Sequence, residues 1–219
     1  MSALAIYCIN LDKRTDRWSE CLQNYSAMGL PAELVQRWSA CEDAEFGALG
    51  CAKSHLAALS DFLTRRSEPY CLVMEDDLDL LRPWNEFANQ FNALQANGFD
   101  WDVLLLAGTC TLAYPQAANG TARVLESQSA SCYLMQRRYV PEIMHSFAYS
   151  VSKLEMFRHY TPRDQWTLRF AIDQAWKSLQ RSDRWFMVAP TMGQQRPSYS
   201  DIEQKNVDYS DLAWRGAAP

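Results

Sequence analysis

Short apolar segments rich in β-forming residues alternate along this chain with segments whose apolar residues recur at helical spacing. The first such segment, residues 5–11, is followed by a helical pattern that begins at Thr15 and stops before Gly29. Further strands are predicted at residues 33–39, 70–74, 103–106, 122–126, 131–135 and 185–189, and further helices at residues 51–66 and 84–94. This order predicts an α/β fold with a mainly parallel central sheet flanked by helices, whose ligands bind at the carboxyl ends of the strands.

Length and composition restrict the class of protein. A chain of 219 residues is long enough for one sizeable domain, and 48% hydrophobic with 21% charged residues is typical of a packed globular protein. A net charge of −5 argues against general attraction to nucleic acid or anionic lipid. No segment approaches the roughly 20 apolar residues that cross a bilayer, and the first residues lack a signal-peptide pattern, so we expect a cytoplasmic protein. Seven cysteines, without a CxxC pair, indicate free thiols.

The most unusual local feature is an acidic turn directly after the apolar strand at residues 70–74. Its sequence is Glu75-Asp76-Asp77-Leu78-Asp79. Neighbouring carboxylates raise one another's pKa unless a cation offsets their repulsion, and oxygen ligands suit hard ions such as Mn²⁺ or Mg²⁺. The simpler interpretation is a solvated turn whose negative charge favours the start of the next helix. The spacing alone leaves both interpretations open.

Polar residues also follow the first strand. Asn10 stands at its end, and Arg14 and Arg17 are three residues apart, so both face the same way on a helical turn. Guanidinium groups match the geometry of phosphate, so this loop is a candidate nucleotide site. The alternative is that both arginines are ordinary surface residues of the first helix.

The segment Gly47-Ala48-Leu49-Gly50-Cys51-Ala52-Lys53-Ser54-His55 places two glycines before the helix predicted at residues 51–66. Exposed backbone amides at a helix start attract anions, so Ser54 and His55 are candidate ligand contacts. The glycine spacing fits neither a P-loop nor a dinucleotide fingerprint. His55 is equally well explained as a helix-interior histidine bonded to a neighbour.

Two further candidates lie in the second half of the chain. Asp173 is an acid among apolar residues on a predicted helix, and a desolvated carboxylate with a raised pKa is suited to act as a general base. The alternative is a helix-start acid bonded to backbone amides. Gln195 and Asp201 belong to a polar stretch after the strand at residues 185–189. This stretch is well placed to cover a pocket, and the alternative is a plain loop.

Taken in order, these motifs resemble glycosyltransferase family 25, the group of lipooligosaccharide and collagen β-galactosyltransferases. The resemblance covers nearly the whole chain. It is carried by Ile9-Asn10-Leu11 with Arg14 and Arg17, Gly50-Cys51 with Ser54-His55, Leu72-Val73-Met74-Glu75-Asp76-Asp77, Ser131-Cys132-Tyr133, Ile172-Asp173-Gln174 and Ser200-Asp201-Ile202-Glu203. Each motif alone is weak, but six in order are specific.

The resemblance implies a single GT-A-type, Rossmann-like domain that binds a UDP-sugar and Mn²⁺ or Mg²⁺. By this analogy Asn10, Arg14 and Arg17 contact the nucleotide, Ser54 and His55 lie near the nucleotide or donor sugar, and Asp77 with Glu75 or Asp76 holds the metal. Gln195 and Asp201 would close the pocket over the diphosphate. The donor half would span about residues 1–110 and the acceptor half about residues 111–219.

The implied reaction is inverting transfer of a hexose to a hydroxyl of a glycan or lipid-linked saccharide. Asp173 is our candidate for the base that takes the acceptor proton, and Asp201 competes with it for that role. Galactose is the donor sugar that the resemblance favours, with glucose as a rival, because one epimeric hydroxyl decides between them. Peripheral contact with a membrane is compatible with these expectations.

Two other interpretations account for part of the pattern. An acidic turn after a buried strand also suits a metal-dependent phosphohydrolase. A catalytically silent module that keeps this fold and binds a nucleotide sugar or a glycan is also compatible with the pattern. Release of UDP from a UDP-sugar with acceptor present separates transferase from binder.

Overall fold

The computed structural model describes residues 4–116, 119–202 and 205–209. Its strands are β1 (Leu4–Asn10), β2 (Val35–Ser39), β3 (Tyr70–Glu75), β4 (Leu78–Leu80), β5 (Val103–Gln116), β6 (Thr121–Gln136), β7 (Trp185–Val188), β8 (Gly193–Gln195), β9 (Ser198–Ser200) and β10 (Lys205–Val207). Its helices are α1 (Thr15–Ala27), α2 (Gly47–Arg65), α3 (Trp84–Ala96), α4 (Val140–Phe157), α5 (Arg163–Phe170), α6 (Ile172–Ala175) and α7 (Lys177–Ser182).

In this described part of the chain, six strands form the central sheet in the order β2-β1-β3-β6-β5-β7. Strand β1 runs parallel to β2 and β3, and β5 runs parallel to β7. Strand β6 is antiparallel to both β3 and β5. Every strand of the sheet except β6 therefore runs in one direction, which confirms the predicted α/β class with a mainly parallel sheet.

The sheet separates two hydrophobic layers. Successive side chains of a strand point to opposite faces, so Ala5, Tyr7 and Ile9 join one layer while Ile6 and Cys8 join the other. Helices α2 and α4 cover the first face, and α1 and α3 cover the second. Because both faces are buried, β1 and β3 have to be apolar along their length, as the sequence pattern indicated.

The register places the ends of three strands side by side. Asn10 pairs with Ser39 of β2, and Ile9 pairs with Glu75 of β3. The loops that follow β1, β2 and β3 consequently meet at one edge of the sheet. This edge is where the acidic turn and the loop with the arginines come together.

The prediction for residues 47–66 is wrong in one respect. Helix α2 begins at Gly47, so Gly47 and Gly50 lie inside the helix, and Ser54 and His55 stand in its second and third turns. A Cβ at Gly50 would lie 2.6 Å from the carbonyl oxygen of Cys41, and one at Gly47 would lie 2.8 Å from Cα of Ile202. These glycines allow two loops to approach the helix closely, and they do not end it.

Two other boundaries differ from the prediction. The strand pieces predicted at 122–126 and 131–135 belong to one strand, β6, which pairs with a β5 that extends well beyond Leu106. The predicted strand at 33–39 starts at Val35, after a 3-10 turn at residues 32–34. Polar side chains interrupt the apolar alternation of β6, and only its pairing with β5 shows that the strand continues.

The cysteines agree with the sequence expectation of free thiols. All seven cysteines are free thiols, and four of them, Cys8, Cys21, Cys71 and Cys132, are buried. Among the described residues, no helix has both the length and the apolar character needed to cross a bilayer.

Candidate active site

A cavity of about 310 Å³ opens at the carboxyl ends of β1, β2 and β3. Its wall includes most of the residues that the sequence singled out, namely Arg17, Ser54, His55, Glu75, Asp76, Asp77, Gln195 and Asp201. Asn10, Arg14 and Asp173 are not part of the wall. Asn10 and Arg14 hydrogen-bond directly to wall residues, whereas Asp173 is linked to Gln195 of the wall through Ser129. Loop residues after β2, including Cys41 and Asp43, complete it.

Asp76 is the structural centre of the acidic turn. Asn10 donates an Nδ2 hydrogen to Oδ2 of Asp76 at 2.6 Å, and Arg17 donates to Oδ1 at 2.9 Å. Burial raises the pKa of Asp76, and the Arg17 charge and the Asn10 hydrogen bond partly offset that rise. Both carboxylate oxygens are therefore engaged in holding the turn against β1 and α1.

Arg17 joins the acidic turn to the C-terminal part of the chain. Its guanidinium lies 3.3 Å from Oδ2 of Asp77 and donates to Oγ of Ser198 at 2.7 Å and to the carbonyl of Tyr199 at 2.8 Å. Its Nε is buried without a partner. Instead of presenting a free fork to a ligand, Arg17 compensates the charge of two aspartates and fixes the segment that closes the cavity.

Asp77 is the least satisfied carboxylate of the turn. Its Oδ1 atom is buried and has no hydrogen-bond partner. Burial, followed by the nearby charge of Glu75, raises the pKa of Asp77 to about 7, while Arg17 acts in the opposite direction. A buried carboxylate of this kind is stabilised by a proton or by a metal cation.

Glu75 is held by a histidine from α2. Nε2 of His55 lies 3.1 Å from Oε1 of Glu75, and Nδ1 of His55 lies 2.7 Å from the hydroxyl of Tyr133. Burial alone would raise the pKa of Glu75, but the hydrogen bond and charge of His55 and the charge of Arg17 lower it below its usual value. Glu75 is therefore an ionised neighbour of Asp77 at neutral pH.

Two predicted ligand contacts have their side chains engaged within the protein. The Asn10 amide donates to Asp76 and to the carbonyl of Arg14, and its oxygen accepts from Nε of Arg37 at 2.8 Å. The Ser54 hydroxyl donates to the carbonyl of Gly50 and accepts from the amide of Cys41, each at 2.7 Å. The structure thus gives both side chains a role in fixing loops.

Ser129 connects Asp173 with Gln195. Its amide donates to Oδ2 of Asp173 at 3.0 Å, and its hydroxyl donates to Oε1 of Gln195 at 2.8 Å. Ser129 has a φ of +67°, which is uncommon for a residue with a Cβ and occurs mostly at turns and functional sites. The Gln195 side chain in turn acts to lower the pKa of Asp77. Burial raises the pKa of Asp173, and the Ser129 amide offsets part of that rise.

Asp201 pairs with cations from the loop after β1. Arg14 donates to its Oδ2 at 2.8 Å, and Nζ of Lys13 lies 3.6 Å from its Oδ1. Asp201, Ser200 and Tyr199 border the cavity, as expected for the polar stretch that follows β7. Ile202 of that motif also borders the cavity, and Glu203 lies outside the described residues.

Three functional candidates were missed from the sequence. Lys13 and Cys51 line the cavity, and Ser129 supports two of the residues named above. Cys51 stands four residues before His55, a spacing that puts both on one helix face and that could have identified it. Ser129 carries no sequence signal, because its role depends on a backbone conformation in the middle of β6.

No protein-family model matches the chain, and no curated protein sequence matches it. Solved structures do resemble it in shape. The mannose-1-phosphate geranyltransferase from Thermus thermophilus matches 92% of this chain and 76% of its own with a TM-score of 0.49 and 9% identity. A glycosyltransferase involved in glycosylation of the major capsid of PBCV-1 matches 85% and 93%, with a TM-score of 0.37 and 8% identity.

UDP-glucose pyrophosphorylase complexed with UDP-glucose is a further structural neighbour. It matches 90% of this chain and 75% of its own with a TM-score of 0.41 and 9% identity. Two of the three neighbours are thus described as transferases and the third holds a nucleotide sugar. At these TM-scores and identities the activity of this chain has to be derived from its own site.

Proposed function

We propose that this protein is a metal-dependent, inverting glycosyltransferase that moves a hexose from a UDP-sugar to a hydroxyl acceptor. The observation that carries the proposal is the buried, unpartnered Oδ1 of Asp77 beside the ionised Glu75, on the wall of a cavity at the carboxyl ends of β1 and β3. This edge of an α/β sheet is where such folds bind nucleotides.

Two carboxylates of the acidic turn are candidate ligands for a divalent cation. Asp77 and Glu75 supply the carboxylate oxygens, and Asp77 lacks any other compensation at Oδ1. Asp76 uses both of its oxygens to accept from Asn10 and Arg17, so we assign it to positioning the turn. A bound Mn²⁺ or Mg²⁺ would neutralise the charge of a departing diphosphate.

Positively charged side chains near the cavity could bind the diphosphate of a UDP-sugar. Lys13 lines the cavity, and its amino group lies 2.7 Å from Glu42 and 3.6 Å from Asp201. Its long contact with Asp201 could therefore be replaced by an ion pair with a phosphate group. Arg14 stands behind Asp201 at 2.8 Å. We propose that Lys13 and Arg14 attract the diphosphate while Arg17 remains with the acidic turn. The cavity is of the size at which small-molecule pockets begin, about 300 Å³.

Asp173 is the proposed base. The competing Asp201 is engaged in ion pairs with Arg14 and Lys13. Burial raises the pKa of Asp173, which makes its carboxylate a better proton acceptor. In the proposed inverting step, the acceptor oxygen attacks the anomeric carbon as the bond to UDP breaks. Asp173 takes the acceptor's proton. No second carboxylate is required as an acid, because a bound metal with Lys13 and Arg14 would neutralise the departing diphosphate.

The donor and acceptor assignments follow the family resemblance. Galactose is the proposed donor sugar, with glucose as the rival, and a glycan or lipid-linked saccharide is the proposed acceptor. Residues 1–110 hold the acidic turn and the loop with Lys13 and Arg14, and we propose them as the donor half. Residues 111–219 contribute Ser129 and Asp173, and we propose them as the acceptor half.

Calorimetric titration with UDP, with and without Mn²⁺, tests the proposal. We expect UDP to bind the wild type in a Mn²⁺-dependent manner and Asp77→Ala to lose that dependence, because Asp77 is the carboxylate with an uncompensated oxygen. Purified UDP-sugars would then be screened for UDP release with and without saccharide acceptors.

Asp79→Asn is the matched control. Asp79 belongs to the same acidic sequence, but it pairs with Arg196 at 2.6 Å and is not part of the cavity wall. This variant should bind UDP and Mn²⁺ as the wild type does. A wild type that ignores UDP under both conditions would refute the donor site, and binding without turnover of any UDP-sugar would favour a silent binding module.

A further inference from the structure

A second ligand set shares the cavity with the acidic turn. Cys51, His55 and Glu75 each offer one ligand atom, and the three atoms lie within 4.8 Å of one another. The Cys51 sulfur is 3.7 Å from Oε1 of Glu75, and Nε2 of His55 is 3.1 Å from the same oxygen. All three residues line the cavity, so an ion can reach them.

These separations are close to those of a tetrahedral zinc site. Zinc bonds of about 2.3 Å to sulfur and 2.0–2.2 Å to nitrogen and oxygen place neighbouring ligand atoms roughly 3.4–3.6 Å apart. The distances from Glu75 to the other two ligands fall on either side of that range. The third separation, between the Cys51 sulfur and the His55 ligand nitrogen, is at most 4.8 Å, so the three atoms are close enough to approach one ion.

The backbone holds the set in place. Cys51 and His55 are four residues apart on α2, so their side chains lie one above the other on the helix face. Glu75 is the last residue of β3. Two rigid elements thus supply the ligands, which is the arrangement that fixes metal geometry best.

The surroundings of His55 also suit a metal ligand. Its Nδ1 lies 2.7 Å from the hydroxyl oxygen of Tyr133, which can accept a hydrogen bond from Nδ1–H. Histidine ligands in metal sites usually donate their second nitrogen in this way. A metal at Nε2 would then take the place of the hydrogen bond between Nε2 and Glu75. The side chains of Tyr133 and Phe147 pack around the imidazole and restrict its rotation.

We propose that Cys51, His55 and Glu75 form a binding site for a thiophilic divalent metal of the zinc class. A thiolate and an imidazole favour Zn²⁺ over the hard ions Mg²⁺ and Mn²⁺. On binding, the thiol proton of Cys51 is released to solvent and the sulfur bonds to the ion, with no change of oxidation state. A water molecule from the cavity that these residues line would complete the coordination.

Sharing of Glu75 links this site to the proposed cation at Asp77. A zinc-class ion that takes Glu75 deprives the hard ion of one of its two proposed carboxylates. Zinc is therefore expected to weaken the Mn²⁺-dependent binding of UDP. That consequence rests on the proposed function, whereas the site itself does not.

Cobalt titration of untagged, chelator-treated protein tests the site directly. Co²⁺ stands in for Zn²⁺ and produces a thiolate-to-cobalt charge-transfer absorption only when sulfur is a ligand. We expect this band in the wild type, its bleaching by added Zn²⁺, and its loss in Cys51→Ser. Cys41→Ser is the control, because Cys41 also lines the cavity but is not one of the three ligands.

Glu75→Gln provides a second variant that retains the thiol. It should keep the charge-transfer band but bind Co²⁺ at least about 10-fold more weakly, as expected for loss of a metal-ligand contact. Absence of the band in the wild type, or its persistence in Cys51→Ser, would overturn the assignment. UDP titration of the same preparations, with Mn²⁺ as the only added metal, measures binding at the proposed UDP site. Failure of the zinc-site proposal is therefore distinguishable from failure of the proposed function.

Discussion

At the scale of single residues, the site is a set of carboxylates whose charges are unequally compensated. Asp76 has two donors, Glu75 has His55, and Asp77 keeps one buried oxygen without a partner. Such an arrangement costs folding free energy, and proteins retain it where a ligand offsets the cost. The stability of variants can therefore reveal which carboxylate is meant for a ligand.

We expect Asp77→Asn to stabilise the metal-free protein at pH 8. The folded pKa of about 7 lies above the unfolded value near 3.9, so the wild type loses stability as pH rises between them. Asparagine avoids that loss, and the gain is on the order of 2–4 kcal/mol at pH 8 and close to zero near pH 4. Thermal unfolding with a chelator at both pH values measures it.

Asp79→Asn again serves as the control for this effect. Its carboxylate accepts hydrogen bonds from Arg196, so its removal should lower the melting temperature at pH 8. A melting temperature of Asp77→Asn below that of the wild type at pH 8 would contradict the assignment of Asp77 as the carboxylate whose charge is only partly compensated.

Asp173→Asn tests the proposed base. We expect transfer to a saccharide acceptor to fall by about 10²–10⁴-fold, since a positioned base contributes this much, while Mn²⁺-dependent UDP binding is unchanged. Transfer rates at saturating donor and acceptor measure the loss of catalysis, and calorimetry measures UDP binding. Wild-type turnover in Asp173→Asn, with loss of turnover in Asp201→Asn, would move the role to Asp201.

At the scale of elements, α2 is positioned by what packs against its first turns. The loop after β2 crosses the helix at Gly50, where a Cβ would lie 2.6 Å from the Cys41 carbonyl and 3.0 Å from the Asp43 amide. The Ser54 hydroxyl ties the same loop to the helix. Both loop and helix line the cavity, so their close approach shapes one wall of the site.

We expect Gly50→Ala to destabilise the protein although alanine favours helices by about 1 kcal/mol over glycine. The added methyl meets backbone atoms, which cannot rotate away, so either the loop or the helix start has to move. The net loss should be on the order of 1–3 kcal/mol. Chemical denaturation measures it.

Ser60→Ala, on the exposed side of α2, controls for helix propensity. It should leave stability nearly unchanged or raise it slightly. If Gly50→Ala proves as stable as Ser60→Ala, the loop after β2 does not require the glycine, and the close approach at Gly50 is not a constraint.

At the scale of the whole molecule, the buried Asp102 and two partly exposed arginines form an ion cluster outside the cavity wall. Asp102, just before β5, accepts from Nε and Nη2 of Arg184 at 3.0 and 2.9 Å and lies 2.7 Å from Arg138. Burial would raise the pKa of Asp102, but the hydrogen bonds and charge of Arg184 lower it below its usual value. Asp102 thus ties β5 to the start of β7 and to the turn before α4.

Asp102→Asn should lower the free energy of unfolding at pH 7 by on the order of 1–3 kcal/mol, because the carboxylate is buried while its arginine partners are partly exposed. A depressed folded pKa contributes stability that is present above the unfolded value near 3.9 and is lost as pH falls through the folded value. The gap between wild type and variant should therefore close in acid. Unfolding titrations between pH 7 and pH 2 measure it, and a gap independent of pH would refute the charge-based explanation.

The sequence by itself determined the α/β class and the strands that carry the acidic turn and the loop after β1. These follow from apolar periodicity and from β-forming runs, which are local properties of the chain. The same locality explains the errors. Helix α2 was predicted to start after Gly50 because glycine is a local helix breaker, while its start at Gly47 depends on packing against distant loops.

Which polar atoms face the cavity was decided only by the tertiary structure. Asn10 and Ser54 looked like ligand contacts, but partners distant in sequence occupy their hydrogen-bonding groups. Ser129 reaches Asp173 across 44 positions of sequence and Gln195 across 66, which no local pattern records. Composition and order specify which elements form, whereas the compensation of each buried charge depends on contacts that exist only once the sheet and its loops have assembled.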